Sequence, residues 1–121
     1  MMKGYVDGFV IPISEGNVER YREIAEKSGE IWKEHGALEY YECLGDDLDH
    51  EKMTSFKKMS GASEDETVIF AWIVYGSKEE RDRVNAAVMA DRRIKDLMKA
   101  GNEPFDYRRM AYGGFRTLVR A

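Results

Sequence analysis

The sequence predicts an α+β domain of the ferredoxin-like, split βαβ type, with an antiparallel sheet and helices on one of its faces. Strand-like and helix-like segments follow one another in the order β-α-β-β-α-β, which is the order of that topology. A length of 121 residues suits a single domain spanning 1–121. The segment 67–75 is apolar on both of its strand faces, so each face needs a covering layer.

The first half of the chain predicts a strand, a helix and a second strand. Residues 5–13 are rich in β-forming side chains and read as the first strand. Apolar residues then recur at helical spacing from Val18, with Asn17 as the expected N-cap. Gly36 is expected to end this helix, and residues 37–44 form the second strand.

A polar insert separates the second strand from the third. It covers residues 45–66, which is long for a loop without structure of its own. Residues 53–56 are expected to form a short extra strand or hairpin arm inside it. The third strand, 67–75, is followed by Ser77 and Glu80, whose spacing predicts a capping box at the start of the next helix.

The remainder of the chain predicts a further short helix and a last strand. Asp91 is expected to cap the short helix, and Gly101 to end it. Residues 109–119 form the predicted fourth strand. The pair Gly113-Gly114 inside it indicates either a bulge or a close approach of another group to the backbone.

Charge and composition argue against several classes of function. The net charge is −4, which opposes binding to nucleic acid or to an anionic membrane. No apolar run approaches the roughly 20 residues of a membrane span, and no signal peptide is expected. Cys43 is the only cysteine and the only histidines are His35 and His50, without the spacing of a zinc or EF-hand site. We therefore expect a cytoplasmic protein with no metal site and no cofactor.

The third strand also predicts a partner, because helices cover only one face of such a sheet. Phe70 and Trp72 share one of its faces and would form a large exposed apolar patch in a monomer. A second copy of the chain, packed sheet against sheet, is the simplest cover since a two-fold dimer uses one patch twice. The expected partner is therefore the chain itself, in a homodimer.

Four segments together resemble a known family, namely YVDGFVIPI, GALEYYEC, WIVYGSKEERDRVNAAVMAD and PFDYRRMAYGGF. They are similar to the YbaA-like family of uncharacterised bacterial proteins, a domain of unknown function. The resemblance implies membership of the dimeric α/β-barrel superfamily, in which two such sheets pack face to face. It implies no activity. Haem-degrading members of that superfamily carry a histidine on the helix after the third strand, and residues 77–89 contain none.

Ionisable residues within apolar strands are the candidate site. Asp7 interrupts the first strand and Glu42 shares a face with apolar neighbours in the second, so both are candidate catalytic carboxylates with raised pKa values. Candidate ligand-binding residues are Trp72, Asn85, Arg109 and Tyr112. Arg109 and Tyr112 are expected to pair with these carboxylates, and Asp106 to orient Arg109. A structural ion pair or a solvent-facing strand edge is the alternative explanation of the same residues.

Two classes of function remain open. One is an enzyme or ligand-binding protein with a small-molecule pocket between the sheet and the helices. The other is a non-catalytic dimeric module whose apolar sheet face is only an interface. Residues 70–75 partly match the aromatic strand of RNA-recognition domains, but the acidic balance and the missing basic lead-in argue against RNA binding.

Overall fold

The computed structural model describes residues 4–99, 101 and 103–121. Its strands and helices are β1 (Tyr5–Ser14), α1 (Val18–His35), β2 (Glu39–Leu44), α2 (Phe56–Ser60), β3 (Glu66–Tyr75), α3 (Lys78–Met89), α4 (Arg92–Leu97) and β4 (Ala111–Arg116). Short 3-10 turns occupy Glu15–Asn17 and Tyr107–Arg109. Among the described residues, no helix combines the length and the hydropathy needed to cross a bilayer.

The four strands form one antiparallel sheet in the order β2-β3-β1-β4. The two central strands, β1 and β3, are the most apolar, and the split βαβ arrangement requires them in the middle. Phe9 lies opposite Ala71 on one side and opposite Tyr112 on the other. The predicted α+β class with an antiparallel sheet is therefore confirmed.

The core lies between the sheet and the helices α1, α3 and α4. Strand side chains alternate between the two faces of a sheet, and the odd-numbered residues of β1 and β3 point towards these helices. They meet Val84 and Val88 of α3 and Ile94 of α4, which are all fully buried. Each such side chain contributes roughly 1.5–3 kcal/mol by leaving water.

The helix ends follow the sequence signals with two exceptions, at Gly101 and at Asn17. Helix α4 ends at Leu97 with Met98 as its C-cap, so the prediction that Gly101 ends it was wrong. Gly36 ends α1 with a φ of 121°, a conformation that other residues avoid. Ser77 Oγ accepts the backbone N–H of Glu80 (3.1 Å), as predicted for α3. Asn17 does not cap α1 with its side chain, since its Nδ2 donates instead to the carbonyl oxygen of Pro104 (3.0 Å). That bond ties the start of α1 to the segment before β4.

The insert forms a helix, so the predicted strand or hairpin arm at 53–56 was wrong. Ser55 Oγ accepts the N–H of Lys58 and begins α2, and Gly61 ends it with a φ of 74°. Local capping thus outweighs the β-forming residues of this short stretch. Phe56 packs against Phe70 with 5.8 Å between ring centroids, which places α2 on the sheet face turned away from α1.

The last strand is shorter than predicted and has no bulge. It begins at Ala111, because Arg109 belongs to a 3-10 turn, and its pairing with β1 is continuous through both glycines. The other predicted reason for the glycine pair, a close approach to the backbone, applies at Gly114. A Cβ atom there would lie 2.4 Å from the hydroxyl oxygen of Tyr5. Any larger residue at Gly114 would displace that buried tyrosine.

The sheet face turned away from α1 is aromatic and only partly covered; we call it the open face. Trp72 stacks on Tyr41 with 4.8 Å between ring centroids, and Phe70 contacts Trp72 at 5.4 Å. Tyr41, Phe70 and Phe115 remain 48%, 45% and 61% exposed. Because α2 reaches only one end of this face, most of its aromatic surface meets solvent in the isolated chain.

Candidate functional site

A cavity of about 350 Å³ lies on the opposite side of the sheet, beneath α1 and α3. Its wall is almost entirely apolar, and the segment from Phe105 to Tyr112 closes part of its rim. The polar side chains that reach it come from strands and helices at different points of the fold. They include Asp7, Tyr21, Ser28, Tyr40, Glu42, Asn85, Tyr107 and Tyr112.

Asp7 is the most unusual of these groups. It lies in the middle of β1, is 1% exposed and faces the helices because of its odd position in the strand. Its Oδ1 atom lies 3.5 Å from Nη1 of Arg81 and has no hydrogen-bond partner among the described residues. Leaving a buried acceptor without a hydrogen bond lowers stability. A hydrogen-bond donor from a bound molecule could therefore pair with Oδ1 of Asp7.

The pKa of the Asp7 carboxyl is raised above its usual value of 3.8 because burial disfavours the charged form. The positive charge of Arg81 opposes the rise, and polar contacts with Tyr112, Asn85 and Tyr75 oppose it further. Burial is the largest of these influences. The carboxyl therefore takes up a proton more readily than an exposed aspartate does.

Arg81 of α3 stands behind Asp7 and does not line the cavity. Its Nη1 donates to the hydroxyl oxygen of Tyr112 (2.8 Å) and its Nη2 to that of Tyr5 (3.2 Å). The guanidinium carbon also lies 4.9 Å from the centroid of the Tyr5 ring. Because the Tyr112 oxygen accepts from Arg81, its own proton is free to point to another acceptor.

Two consecutive hydrogen bonds link Trp32 of α1, Tyr75 of β3 and Asn85 of α3, close to Asp7. Trp32 Nε1 donates to the hydroxyl of Tyr75 (3.2 Å), which donates to Oδ1 of Asn85 (3.4 Å). With its oxygen engaged, Asn85 keeps its amide nitrogen as a donor. Asp7, Asn85 and Tyr112 thus supply one acceptor and two donors around one end of the cavity.

Glu42 lines another part of the cavity, and its hydrogen-bond partners differ from those of Asp7. It accepts hydrogen bonds from the hydroxyls of Tyr21 and Tyr40, both at 2.6 Å. Burial raises the pKa of the Glu42 carboxyl, and the two tyrosine donors oppose that rise. Burial and the nearby carboxylate in turn raise the pKa of both tyrosines. This carboxylate is fully engaged within the chain.

The two carboxylates do not form a pair. Asp7 lies opposite Ile73 of β3, whereas Glu42 lies opposite Ala71, two residues further along. With β3 between them, strand spacing and rise put their Cα atoms roughly 12 Å apart. They can therefore contact different ends of one ligand but cannot share a proton directly.

The structure brings four of the six predicted site residues to this cavity, namely Asp7, Glu42, Asn85 and Tyr112. Trp72 is not among them, contrary to the expectation that it forms an aromatic wall. Its even position in β3 turns it to the open face, against Tyr41. Trp32 of α1 lines the cavity in its place.

Arg109 also lies outside the cavity, so its expected pairing with Asp7 or Glu42 was wrong. Both of its terminal nitrogens bond to the carboxylate of Glu66 (2.8 Å each), and one also donates to the carbonyl of Gly61 (2.9 Å). The 3-10 turn before β4 points it towards the insert. The side chain of Asp106 likewise bonds to Arg108 rather than to the side chain of Arg109.

Arg81 takes the role that was expected of Arg109, and the sequence contained a signal for it. Arg81, Val84 and Val88 are spaced at i, i+3 and i+7, and therefore share the buried face of α3. Asn85 follows Arg81 by one turn. A charged residue on an otherwise apolar helix face requires a buried counter-charge, and Asp7 provides it.

Among the residues that the structure describes, no three histidine, cysteine, aspartate or glutamate side chains are grouped as metal ligands. The acidic run Asp46 to Glu51 lies in a largely exposed loop, where His50 approaches Asp47 at 3.8 Å. This loop is remote from the cavity beneath α1.

Comparison with known proteins places the chain in a family. A family model described as "Protein of unknown function (DUF1428)" matches residues 4–107. The chain belongs to this family. The "Uncharacterized protein YbaA" of Escherichia coli K12 is 43% identical over 115 residues, which cover 95% of this chain and 97% of that protein. The YbaA protein of Shigella flexneri is similar to the same extent.

Two solved structures share the fold of this family member. A NIPSNAP-like domain protein from Burkholderia xenovorans has a TM-score of 0.63 and 11% identity, covering 100% of this chain and 90% of that one. A nipsnap family protein with unknown function from Agrobacterium tumefaciens has a TM-score of 0.58 and 16% identity, covering 96% and 89%. At this identity the likeness concerns the fold alone.

Proposed function

We propose that this protein binds a small, mainly apolar molecule in the cavity beneath α1 and α3, with Asp7 as the group that anchors it or accepts its proton. One observation carries the proposal: a buried carboxylate at the cavity wall has an oxygen without a hydrogen-bond partner among the described residues. Native proteins rarely leave such a group unpaired unless something else pairs with it. Clefts with an apolar lining and a few placed polar groups are typical ligand sites.

The cavity's size and its surroundings support the same proposal. A volume of about 350 Å³ falls within the range of roughly 300–1,000 Å³ seen for small-molecule pockets. The Asp7 carboxyl has a raised pKa and a positive charge close behind it, and perturbed carboxyls of this kind gather at functional sites.

The test is a thermal-shift screen of small metabolites on the wild type and two variants. Asp7→Asn and Glu42→Gln retain the shape of each side chain. We expect at least one compound to raise the melting temperature of the wild type, and Asp7→Asn to reduce that shift. Trp72→Phe, on the open face, is the matched control and should respond like the wild type. If all four proteins respond alike to every compound, the cavity is not the binding site.

We also propose that the chain forms a homodimer through the open face. Tyr41, Phe70 and Phe115 are about half exposed or more, and fully burying three aromatic side chains removes several hundred Å² of apolar surface. A standard interface buries about 800 Å² on each partner, so these rings would supply a large part of one. A second copy presents the same aromatic surface and needs no other partner.

Light scattering at micromolar concentration tests the dimer directly, and we expect about twice the monomer mass of 14.0 kDa. Trp72→Arg should give monomer or insoluble protein, because a charge would be placed among the stacked rings without a partner. Arg116→Gln at the end of β4 is a control that leaves those rings intact. A wild type of monomer mass would overturn this proposal without affecting the one about the cavity.

A non-catalytic dimeric module is the second candidate function. The exposed rings of the open face favour it, because they explain the aromatic strand without any ligand. Under this alternative the chain dimerises, and Asp7→Asn changes only stability. The thermal-shift screen separates the two candidates, because a dimer is expected under both.

A further inference from the structure

We propose, on the basis of the ligand-binding role above, that the ligand is a flat two-ring aromatic alcohol or enol. Its weakly acidic hydroxyl would donate to Asp7 and accept from Tyr112 or Asn85. Three features of the cavity lead to this class: its volume, its aromatic walls and the donors and acceptors at its polar end.

The volume sets the size of the ligand. A dry, apolar cavity of about 150 Å³ accommodates one benzene molecule. The cavity of about 350 Å³ is a little more than twice as large. It therefore has room for two fused rings and one small substituent.

Aromatic side chains on several sides of the cavity favour a flat ligand. The rings of Phe9 and Tyr112 lie 5.1 Å apart on neighbouring strands. Tyr21 of α1 meets Phe105 edge-on at 5.6 Å, at the rim. Aromatic rings prefer offset-stacked or edge-to-face contacts with other rings, so a planar aromatic body fits these walls better than a branched aliphatic chain.

The polar end of the cavity selects a hydroxyl group. Oδ1 of Asp7 is an acceptor without a hydrogen-bond partner among the described residues. The Tyr112 hydroxyl and the Asn85 amide nitrogen beside it are donors that can pair with Asp7 or with a ligand lying between them. A group that pairs with both kinds must donate and accept through one small atom. A hydroxyl does so, but a carbonyl oxygen only accepts and an ammonium group only donates.

Charge distinguishes the hydroxyl from ionic alternatives. Arg81 already offers Asp7 a positive charge at 3.5 Å, so a second cation at that oxygen would also meet the guanidinium. An anionic ligand would face both Asp7 and Glu42 across a cavity of low polarity. A neutral hydroxyl avoids both repulsions and gains a hydrogen bond to a charged group, which is stronger than one between neutral groups.

The test uses four probes of matched size: 2-naphthol, 2-methylnaphthalene, 2-naphthoate and 2-naphthylmethylamine. Their fluorescence is titrated with wild-type protein at pH 7. We expect 2-naphthol to bind at least about ten-fold tighter than 2-methylnaphthalene, since a hydrogen bond to a charged group is worth at least that ratio. The naphthoate and the amine should both bind more weakly than the naphthol.

Three variants test whether the preference for 2-naphthol depends on the polar end of the cavity. Asp7→Asn should reduce the preference for 2-naphthol over 2-methylnaphthalene to about three-fold or less, whereas Trp72→Phe on the open face should leave it unchanged. Tyr112→Phe removes one donor from a half-exposed side chain and should reduce the preference in part. If Asp7→Asn does not fold, Tyr112→Phe and the wild-type titrations still test whether the cavity selects a hydroxyl group.

The outcomes separate this inference from the function on which it rests. Equal binding of 2-naphthol and 2-methylnaphthalene would overturn the hydroxyl class but support a ligand-binding cavity. Tightest binding of the amine would make the ligand a cation and would also overturn this inference. If none of the four probes binds and the metabolite screen gives no shift, the proposed function itself fails.

Discussion

Asp7 and Glu42 are two carboxylates in the same apolar layer, and their hydrogen-bond partners differ. Both lie on strands, both face the helices and both have a pKa raised by burial. Glu42 accepts two short hydrogen bonds from tyrosine hydroxyls. Asp7 faces a guanidinium at 3.5 Å and has an oxygen with no partner among the described residues.

The difference indicates two roles. A partly buried carboxylate whose oxygens both accept from tyrosines, as in Glu42, holds α1 and β2 together, and its hydrogen bonds are made within the chain. A buried carboxylate with an unpaired oxygen is destabilising unless something binds to it. We infer that Glu42 is mainly structural and that Asp7 is the functional group. The predictions below test this contrast through stability, measured by urea denaturation at one fixed protein concentration.

Arg81→Met should produce the largest effect, because it leaves Asp7 buried without a counter-charge. Removing one partner of a buried ion pair typically costs 3–5 kcal/mol, and we expect a loss of about 3 kcal/mol at pH 7. The loss should be smaller at pH 5, where Asp7 is more readily protonated. Asp7→Asn combined with Arg81→Met should be more stable than Arg81→Met alone.

Arg83→Met is the matched control on the same helix. Arg83 forms an exposed ion pair with Glu80, and exposed pairs contribute little. Its substitution should change stability far less than that of Arg81. Equal effects of the two substitutions would mean that Asp7 does not depend on Arg81.

Tyr21→Phe should have the next largest effect. It removes a hydrogen bond to the partly buried carboxylate of Glu42, which is worth about 2 kcal/mol, and it should raise the pKa of Glu42 further. Tyr112→Phe near Asp7 should cost less than about 1 kcal/mol, because Tyr112 is half exposed. If the two substitutions cost the same, the contrast between the two carboxylates does not hold.

The pH dependence of stability should differ between wild type and Asp7→Asn. The folded state binds the Asp7 proton more tightly than the unfolded state, whose pKa is near 3.8. The contribution of Asp7 to the free energy of unfolding therefore falls as pH rises from 3.8 to its folded pKa, and is constant above it. Subtracting the Asp7→Asn curve from the wild-type curve should show this decline. A difference that rises with pH would show that Arg81 outweighs burial.

Much of the fold could be predicted from local patterns. The run of apolar, β-forming residues at 67–75 and the helical spacing from Val18 predicted the correct element types, and Gly36, Ser77 and Asp91 predicted the correct helix ends. The insert could not be predicted in the same way. Its helix depends on Ser55 and Gly61 at the two ends of only five residues, a length at which propensity alone does not decide.

The site was harder to predict, because it depends on which way each strand residue points. Asp7 and Glu42 were recognisable as charges within apolar strands. The prediction that Trp72 belongs to the same site was wrong. Its neighbour Ile73 lines the cavity, and consecutive residues of a strand point to opposite faces of the sheet. Arg81 was not predicted, because α3 is rich in charged residues and charge alone does not show which of them points inward.

Arg109→Gln should have the smallest effect, and it tests where the site ends. Arg109 pairs with Glu66 and lowers the pKa of that carboxyl to about 2, together with the backbone and side chain of Ser63. A lowered carboxyl pKa contributes stability above the unfolded value of 4.5 and loses it as pH falls towards 2. The wild type and Arg109→Gln should therefore differ slightly at pH 7 and converge near pH 2. Because Arg109 lies outside the cavity, titration with 2-naphthol should give the same affinity for both proteins. A weaker affinity in Arg109→Gln would extend the site to the turn before β4 and restore the role that its place in the sequence suggested.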